Sequence, residues 1–328
     1  MKTVSLLVPE NGVAAAVADT WYLFTAVNEL LKAAGRPALF KVQLVALSKE
    51  VELAGGKFAV RPDRVLADAG RADLVIVPAI TGNMKSTLKK NAAFIPWLQQ
   101  QYEKGAQTAS LCTGAFLLAA TGLLDGKTCS THWMFAEEFR KMFPAVEMVD
   151  EKIITGQKGL YTTGGANSYW NLLIYLVEKF TDRQTAILTA KYFLVETGAN
   201  NQSAFVIFKG QKDHHDDLVK KAQLYIEQRY RERITVDQLA ELLDIGRRSL
   251  ERRFRKATAN TLIEYIQRVK IEATKAELEA GVRPVREVMK EVGYTDVKAF
   301  RDVFRKFTGM SPVDYKDKYS RVPGFPQP

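Results

Sequence analysis

Nearly the same pentapeptide occurs twice, fifty positions apart: Phe254-Arg255-Lys256-Ala257-Thr258 and Phe304-Arg305-Lys306-Phe307-Thr308. An internal repeat demands a repeated supersecondary unit, so the last third of the chain has to fold as two copies of one motif. Upstream of each copy the order is the same: a short apolar helix, a tight turn and a basic helix. In the first copy Val236, Leu239, Ala240 and Leu243 mark the helix, Asp244–Gly246 the turn and Arg247–Ala257 the second helix. In the second, Val285, Val288, Met289 and Val292 precede a turn at Gly293 and a helix over Asp296–Phe307. This spacing predicts two helix-turn-helix units. In the first unit Leu250 and Phe254 form the buried stripe of the second helix. In the second, Ala299, Phe300, Val303, Phe304 and Phe307 are expected to point inward, with Lys298, Arg301, Asp302 and Arg305 outward. Between the units Thr261–Ala280 reads as one helix with Ile263, Ile266, Val269 and Leu278 on its apolar side. Such a helix spans roughly 30 Å, close to one DNA turn of about 34–36 Å. It could therefore set two helices into successive major grooves.

The charge distribution agrees. The chain has 47 basic and 37 acidic side chains, a formal +10. Residues 218–321 hold a net +8 of this and the remainder only +2. A basic domain beside a nearly neutral one points to a polyanionic partner. Six basic residues within 247–256 would ordinarily be a solvated helix face. The duplication and the turn spacing favour groove contact instead. The side chains expected to meet DNA are Arg247, Arg248, Ser249, Glu251 and Arg252 from the first unit, with Thr295, Asp296, Lys298, Arg301 and Arg305 from the second. Arg253, Arg255, Lys256 and Lys306 divide between phosphates and internal pairs.

Residues 218–320 resemble the AraC/XylS family of bacterial transcription regulators. The matching stretches are Val236-Asp-Gln-Leu-Ala240, Arg248-Ser-Leu-Glu-Arg-Arg-Phe254, Tyr265-Ile-Gln-Arg268, Val288 to Gly293-Tyr294, and Phe304 to Pro312 leading to Tyr315. Asp244 stands where a turn glycine is usual, and Met289 where a small residue is usual. The resemblance implies sequence-specific binding to double-stranded promoter or operator DNA, a homodimer on two-fold operators, and RNA polymerase as an admissible further contact.

The first 180 or so residues have another texture. Val4–Val8, Phe40–Leu47, Leu74–Val77 and Thr108–Cys112 are compact runs of buried-strand type, separated by helix candidates at Asp19–Ala33, Asn91–Lys104 and Gly114–Ala120. The alternation implies βαβ units and a parallel sheet covered on both faces. Lys152–Thr163 reads as a hairpin around Gly156–Gly159, and Ser168–Phe180 as an amphipathic helix. In Thr108-Ala-Ser-Leu-Cys112-Thr113-Gly114 a strand runs through a single Cys into a helix, the nucleophile-elbow arrangement, where the helix N-terminus favours a thiolate. Leu111–Trp133, with Gly122-Leu-Leu-Asp-Gly126 inside it, and Tyr161–Asn167 resemble the class I glutamine-amidotransferase-like superfamily of ThiJ/PfpI, intracellular protease type.

That resemblance implies a flavodoxin-like α/β domain, a sheet sandwiched by helices, over residues 1–195. A linker at 196–217, an all-α domain at 218–320 with its two units joined by the long helix, and a disordered tail at 321–328 complete the expected organisation. Active members of the superfamily carry an acidic residue early in the chain and glycines after the fourth strand's Pro. Here the early region reads Gly12-Val-Ala-Ala-Ala-Val-Ala18, leaving Glu10 and Asp19, and Ala79-Ile80 follow Pro78. The expected role is thus not enzymatic: a receptor for a small metabolite of amino-acid or amine type, bound at the carboxyl edge of the sheet. Cys112, Thr113, His132 and Asn167 would line the site, with Asn83 at its margin. The competing reading is a thiol-dependent hydrolase or glyoxalase-like enzyme fused to a DNA-binding domain. Cys129 reads as core. His214-His215-Asp216-Asp217 reads as solvated linker, so neither a metal nor a cofactor is expected. Two cysteines fit a reducing compartment. No apolar run approaches the length of a membrane span, and a cytoplasmic location is expected.

Overall fold

A computed structural model describes residues 1–149, 152–196, 208, 210–212 and 214–320. The chain divides into two compact units, Met1–Gln202 and Ser203–Pro328. Part of the linker expected at 196–217 (197–207, 209 and 213) and the tail at 321–328 lie outside the described residues.

The first unit begins with β1 (Lys2–Leu7), α1 (Ala14–Ala33) and β2 (Phe40–Ala46), followed by a small hairpin β3 (Val51–Leu53) and β4 (Phe58–Val60) and by the short strand β5 (Arg64–Val65). Next come β6 (Leu74–Val77), α2 (Met84–Lys90), α3 (Phe94–Glu103), β7 (Gln107–Ser110) and α4 (Ala115–Ala119). Then β8 (Thr128–Cys129), α5 (Ala136–Met142) and β9 (Glu147–Met148) lead to β10 (Ile154–Gln157), β11 (Leu160–Thr163), α6 (Tyr169–Phe180) and α7 (Arg183–Tyr192). Seven strands form one sheet in the order β10-β11-β7-β6-β1-β2-β5, parallel except for the β10–β11 hairpin. Lys158 and Gly159 both take positive φ in that hairpin's two-residue turn, which matches the twist of the strands.

Alternation along the strands sorts the core. Leu74 and Ile76 pack with α1, α6 and α7 on one face, whereas Val75 and Val77 pack with Phe94, Trp97 and Leu98 of α3 on the other. Helix α1 starts at Ala14, five residues before the expected Asp19, because Ala14-Ala15-Ala16 are strong helix formers and Ala16 and Val17 are buried. The single helix expected over Asn91–Lys104 is preceded by a separate one, α2, capped by Asn83.

The second unit is all helical: α8 (Asp217–Gln228), α9 (Val236–Leu242), α10 (Arg247–Thr258), α11 (Leu262–Ala280), α12 (Val285–Glu291), α13 (Val297–Thr308) and α14 (Pro312–Tyr319). The repeat persists to atomic detail. Helices α9 and α12 have 7 residues each, α10 and α13 have 12. The Thr258 and Thr308 hydroxyls each donate to the carbonyl four residues back at 2.8 Å and each accept from the N–H two residues on at 3.2 Å. Leu250, Phe254 and Tyr265 centre one core; Phe300, Phe304 and Tyr315 centre the other. Asp244 does adopt the left-handed backbone its position requires, with φ 48°, opposite Gly293 at φ 81°. Two inward assignments are corrected. Ile263 is 56% exposed, because the buried stripe of α11 runs through Leu262, Tyr265, Ile266, Lys270, Ile271 and Leu278. Ala299 is exposed on the outer side of α13. Phe208 packs on Tyr265 and Arg268, and Lys212 pairs with Glu227, so these residues belong to the second unit.

Candidate DNA-reading helices and candidate ligand site

Each reading helix is fixed by its apolar stripe, which leaves the opposite side to solvent. On α10, Leu250 and Phe254 are fully buried, and Arg247, Arg248 and Arg252 are exposed, with Ser249 and Glu251 half-buried. On α13, Phe300 and Phe304 are buried, and Lys298, Arg301 and Arg305 are exposed, with Thr295 and Asp296 exposed ahead of the helix. All ten residues singled out for DNA therefore lie on accessible parts of the two units. Three of them, Arg247, Glu251 and Asp296, have internal duties. Arg247 makes a two-pronged contact to Asp237 at 3.0 and 3.1 Å and reaches Glu251 at 3.4 Å. Asp296 caps α13, accepting from the Ala299 N–H at 2.9 Å. Arg253 belongs to the internal pairs: it grips Asp216 at 2.7 and 2.8 Å, which holds that carboxyl below its ordinary range. His214 meets Gln223 at 3.1 Å, and among the described residues no group of His, Cys, Asp and Glu suited to a metal occurs.

In the first unit the elbow is real. Cys112 sits at the carboxyl end of β7 with φ 52°, a strained value for a non-glycine residue. Its N–H donates to Thr163 Oγ1 at 3.0 Å, and its carbonyl accepts from Thr131 Oγ1 at 3.0 Å. The glycine two residues on has a steric cause: a Cβ on Gly114 would lie 2.5 Å from the carbonyl oxygens of both Val77 and Pro78. Helix α4 can approach β6 only without that carbon.

The chemistry around the thiol departs from expectation. Cys112 is 6% exposed and packs against Ala16, Ala79 and Val13. Burial pushes the thiol up to about 11, and its hydrogen bonding with Thr113 only partly opposes this. The thiolate expected from the helix N-terminus is thus outweighed by desolvation. Thr113 is occupied elsewhere, donating to the Ile80 carbonyl at 2.7 Å and accepting from the Ile80 N–H at 3.0 Å. His132 is half-buried, its Nδ1 accepts from the Met134 N–H at 3.2 Å, and burial lowers its proton affinity. Asn83 is exposed and caps α2 through Ser86, and Asn167 is exposed in the turn before α6. Cys129 is fully buried, as a core residue should be.

Of the early acidic residues, Asp19 has its carboxylate engaged by a hydroxyl rather than the thiol: it accepts from the Tyr169 hydroxyl at 2.5 Å. Glu10 is held through its backbone by the buried Asn91 amide, with both bonds at 2.9 Å. Burial and then Asp19 raise the Tyr169 phenol, which also feels the Cys112 thiol. Tyr169 is thus a neighbour of the site that the sequence does not announce. The pair spans 150 positions, and no local pattern links them.

A slow thiol is the testable result. Cys112 in the native protein should alkylate with iodoacetamide roughly a hundredfold more slowly at neutral pH than a thiol of ordinary acidity, because burial leaves it about a hundredfold less thiolate. The rate should climb with pH up to about 11. A plateau reached below about pH 8.5, where an ordinary thiol ionises, would restore an activated nucleophile.

A parallel sheet with a cysteine on its elbow, joined in one chain to a paired helix-turn-helix unit, defines a class of two-domain proteins: an amidotransferase-like domain with a DNA-reading appendage. The chain belongs to the DJ-1/PfpI family, whose profile matches residues 13–179. A helix-turn-helix domain profile matches residues 239–318. Among curated relatives, the HTH-type transcriptional regulator GbdR of Pseudomonas aeruginosa is 24% identical over 277 residues, covering 84% of this chain and 74% of that protein. The HTH-type transcriptional regulator CdhR of the same species is 22% identical over 321 residues, covering 90% of each. Among solved structures, a candidate transcriptional regulator from Vibrio parahaemolyticus has the same fold, with a TM-score of 0.53 and 21% identity across 58% of this chain and 98% of that one.

Proposed function

We propose that this protein is a sequence-specific DNA-binding transcriptional regulator whose first unit binds a small metabolite without transforming it. The carrying observation is the pair of matched units, α9–α10 and α12–α13, each presenting an exposed basic face over a buried aromatic stripe. The helix between them has 19 residues, about 28 Å at 1.5 Å per residue. That length suits two adjacent major grooves on one side of a duplex. The regulator names of the relatives that span most of the chain support the same reading.

For the first unit, the neutral thiol, the carboxylate engaged by Tyr169 and the hydroxyl of Thr113 tied to Ile80 all favour binding over turnover. Cys112, His132 and Asn167, joined by Tyr169, are the residues proposed to meet the ligand. The elbow itself favours the rival reading, a thiol-dependent hydrolase, and the alkylation profile separates the two. The regulator acts as a homodimer in the cytoplasm. The dimer is supported by apolar side chains left open on α1 and α7: Trp21, Tyr22, Ile187, Leu188 and Tyr192 are each 44–53% exposed, and the Tyr22 and Tyr192 hydroxyls meet at 3.1 Å. Apolar surface of this kind commonly marks an interface.

Footprinting the full-length protein on the region upstream of its own gene tests the reading. Two protected elements are expected, one per subunit. Arg248→Ala should weaken binding by about 1–3 kcal/mol and relax preference at one base position. Complete absence of protection would overturn the reading.

A further inference from the structure

Lys270 lies in the middle of α11 and is 7% exposed. No carboxylate pairs with it among the described residues. Its ammonium donates instead to two backbone carbonyls, Val292 at 2.7 Å and Glu232 at 3.2 Å, and stands 5.5 Å from the centre of the Tyr294 ring. These acceptors flank different repeats. Glu232 lies between α8 and α9, just ahead of the first helix-turn-helix unit, and Val292 caps the C-terminus of α12 in the second, where helix carbonyls concentrate negative charge. Burial lowers the proton affinity of the amine, and the two carbonyls and the ring offset that desolvation.

Neighbouring groups close the same seam. Arg231 pairs with Glu291 at 3.2 Å. A Cβ on Gly293 would fall 2.3 Å from the Arg231 carbonyl oxygen and 2.7 Å from Lys270 Nζ. The turn of the second repeat is therefore pressed onto the first, with the ammonium as the bridge. Gly293 immediately precedes the approach to α13, and Glu232 precedes α9, so the bridge acts where each reader is aimed.

We propose that Lys270 is a positioning residue that locks the two helix-turn-helix units in one mutual orientation, and so sets the spacing of the two DNA segments the protein accepts. This rests on the regulator reading for its consequence, but the lock itself is a property of the free protein. A flexible pair of readers would tolerate extra base pairs between the two segments. A locked pair would not, because each inserted pair rotates one segment away from its reader.

Lys270→Met keeps the apolar stem and removes the donors. Nitroxides at Lys256→Cys and Asp302→Cys, both exposed positions, report the distance between α10 and α13 in the full-length, DNA-free protein. Cys112 and Cys129 stay native because both are buried. A narrow distribution that broadens on Lys270→Met is expected, with helix content unchanged by circular dichroism. In binding assays the parent should lose at least tenfold in affinity when two or three base pairs are inserted between the segments, and the variant should lose less than threefold. An unchanged distance distribution would overturn the lock, as would unchanged spacing discrimination. If the parent binds no DNA, the regulator reading fails and the nitroxide distances alone decide on Lys270. A variant that loses helix content is replaced by Lys270→Gln, judged by the same distances.

Discussion

Gly114→Ala is expected to destabilise the first unit by about 3 kcal/mol, the upper part of the range for forcing a carbon into a packed interior. The cause is purely steric. Gly114 has φ −57°, a backbone any residue adopts, so no conformational penalty enters. The added methyl would meet two carbonyl oxygens at 2.5 Å, and these belong to β6 and the Pro78 step, neither of which can yield without shifting the sheet edge. The elbow would move with it, because Thr113 next door is bonded to Ile80 through both its donor and its acceptor. Chemical denaturation followed by tryptophan fluorescence measures the loss. Gly70→Ala is the control in the same unit: nothing lies within 4 Å of its added carbon and its backbone is outside the left-handed region, so it should change stability by less than about 0.5 kcal/mol. Equal stability for Gly114→Ala and the parent would mean that α4 and β6 are less tightly apposed than described.

Phe304→Ala should cost the second unit about 3–5 kcal/mol, the range for emptying a buried aromatic site. The ring is fully buried, 5.4 Å from Tyr315 and 6.0 Å from Phe300, and those three define the second core. The repeat supplies an internal comparison. Phe254 occupies the matching place, also fully buried, with Tyr265 at 5.2 Å, and Phe254→Ala should cost a similar amount. The two should differ in DNA protection: Phe304→Ala removes the segment read by α13 first, Phe254→Ala the one read by α10. A loss under about 1 kcal/mol in either variant would show that its core collapses to fill the space.

Much of the architecture is legible in the sequence because it rests on local periodicity. The repeated Phe-Arg-Lys segment places both helix-turn-helix units, and the Thr-Ala-Ser-Leu-Cys-Thr-Gly run places the elbow. What escapes are groups whose meaning comes from distant partners. Lys270 reads as one more polar residue on a long helix, and only the carbonyls at 232 and 292 make it a bridge. Tyr169 and Asp19 meet across 150 positions. The state of the thiol escapes too, because helix polarity is visible in a sequence, whereas the alanines at 16 and 79 that exclude water are assembled by the fold. The start of α1 and the exposure of Ile263 are decided by packing rather than by polarity.

The two repeats share a chassis but not a face. Glu251 corresponds to Arg301, and Arg252 to Asp302, so the charges at these matched positions are reversed. On the proposed regulator reading the chain therefore has a head and a tail. It would settle on a duplex in one sense only, with α10 and α13 each committed to its own segment. The stretch of DNA bound by one copy would itself be an asymmetric word, and reversing that word in place should leave its bases intact and its meaning lost.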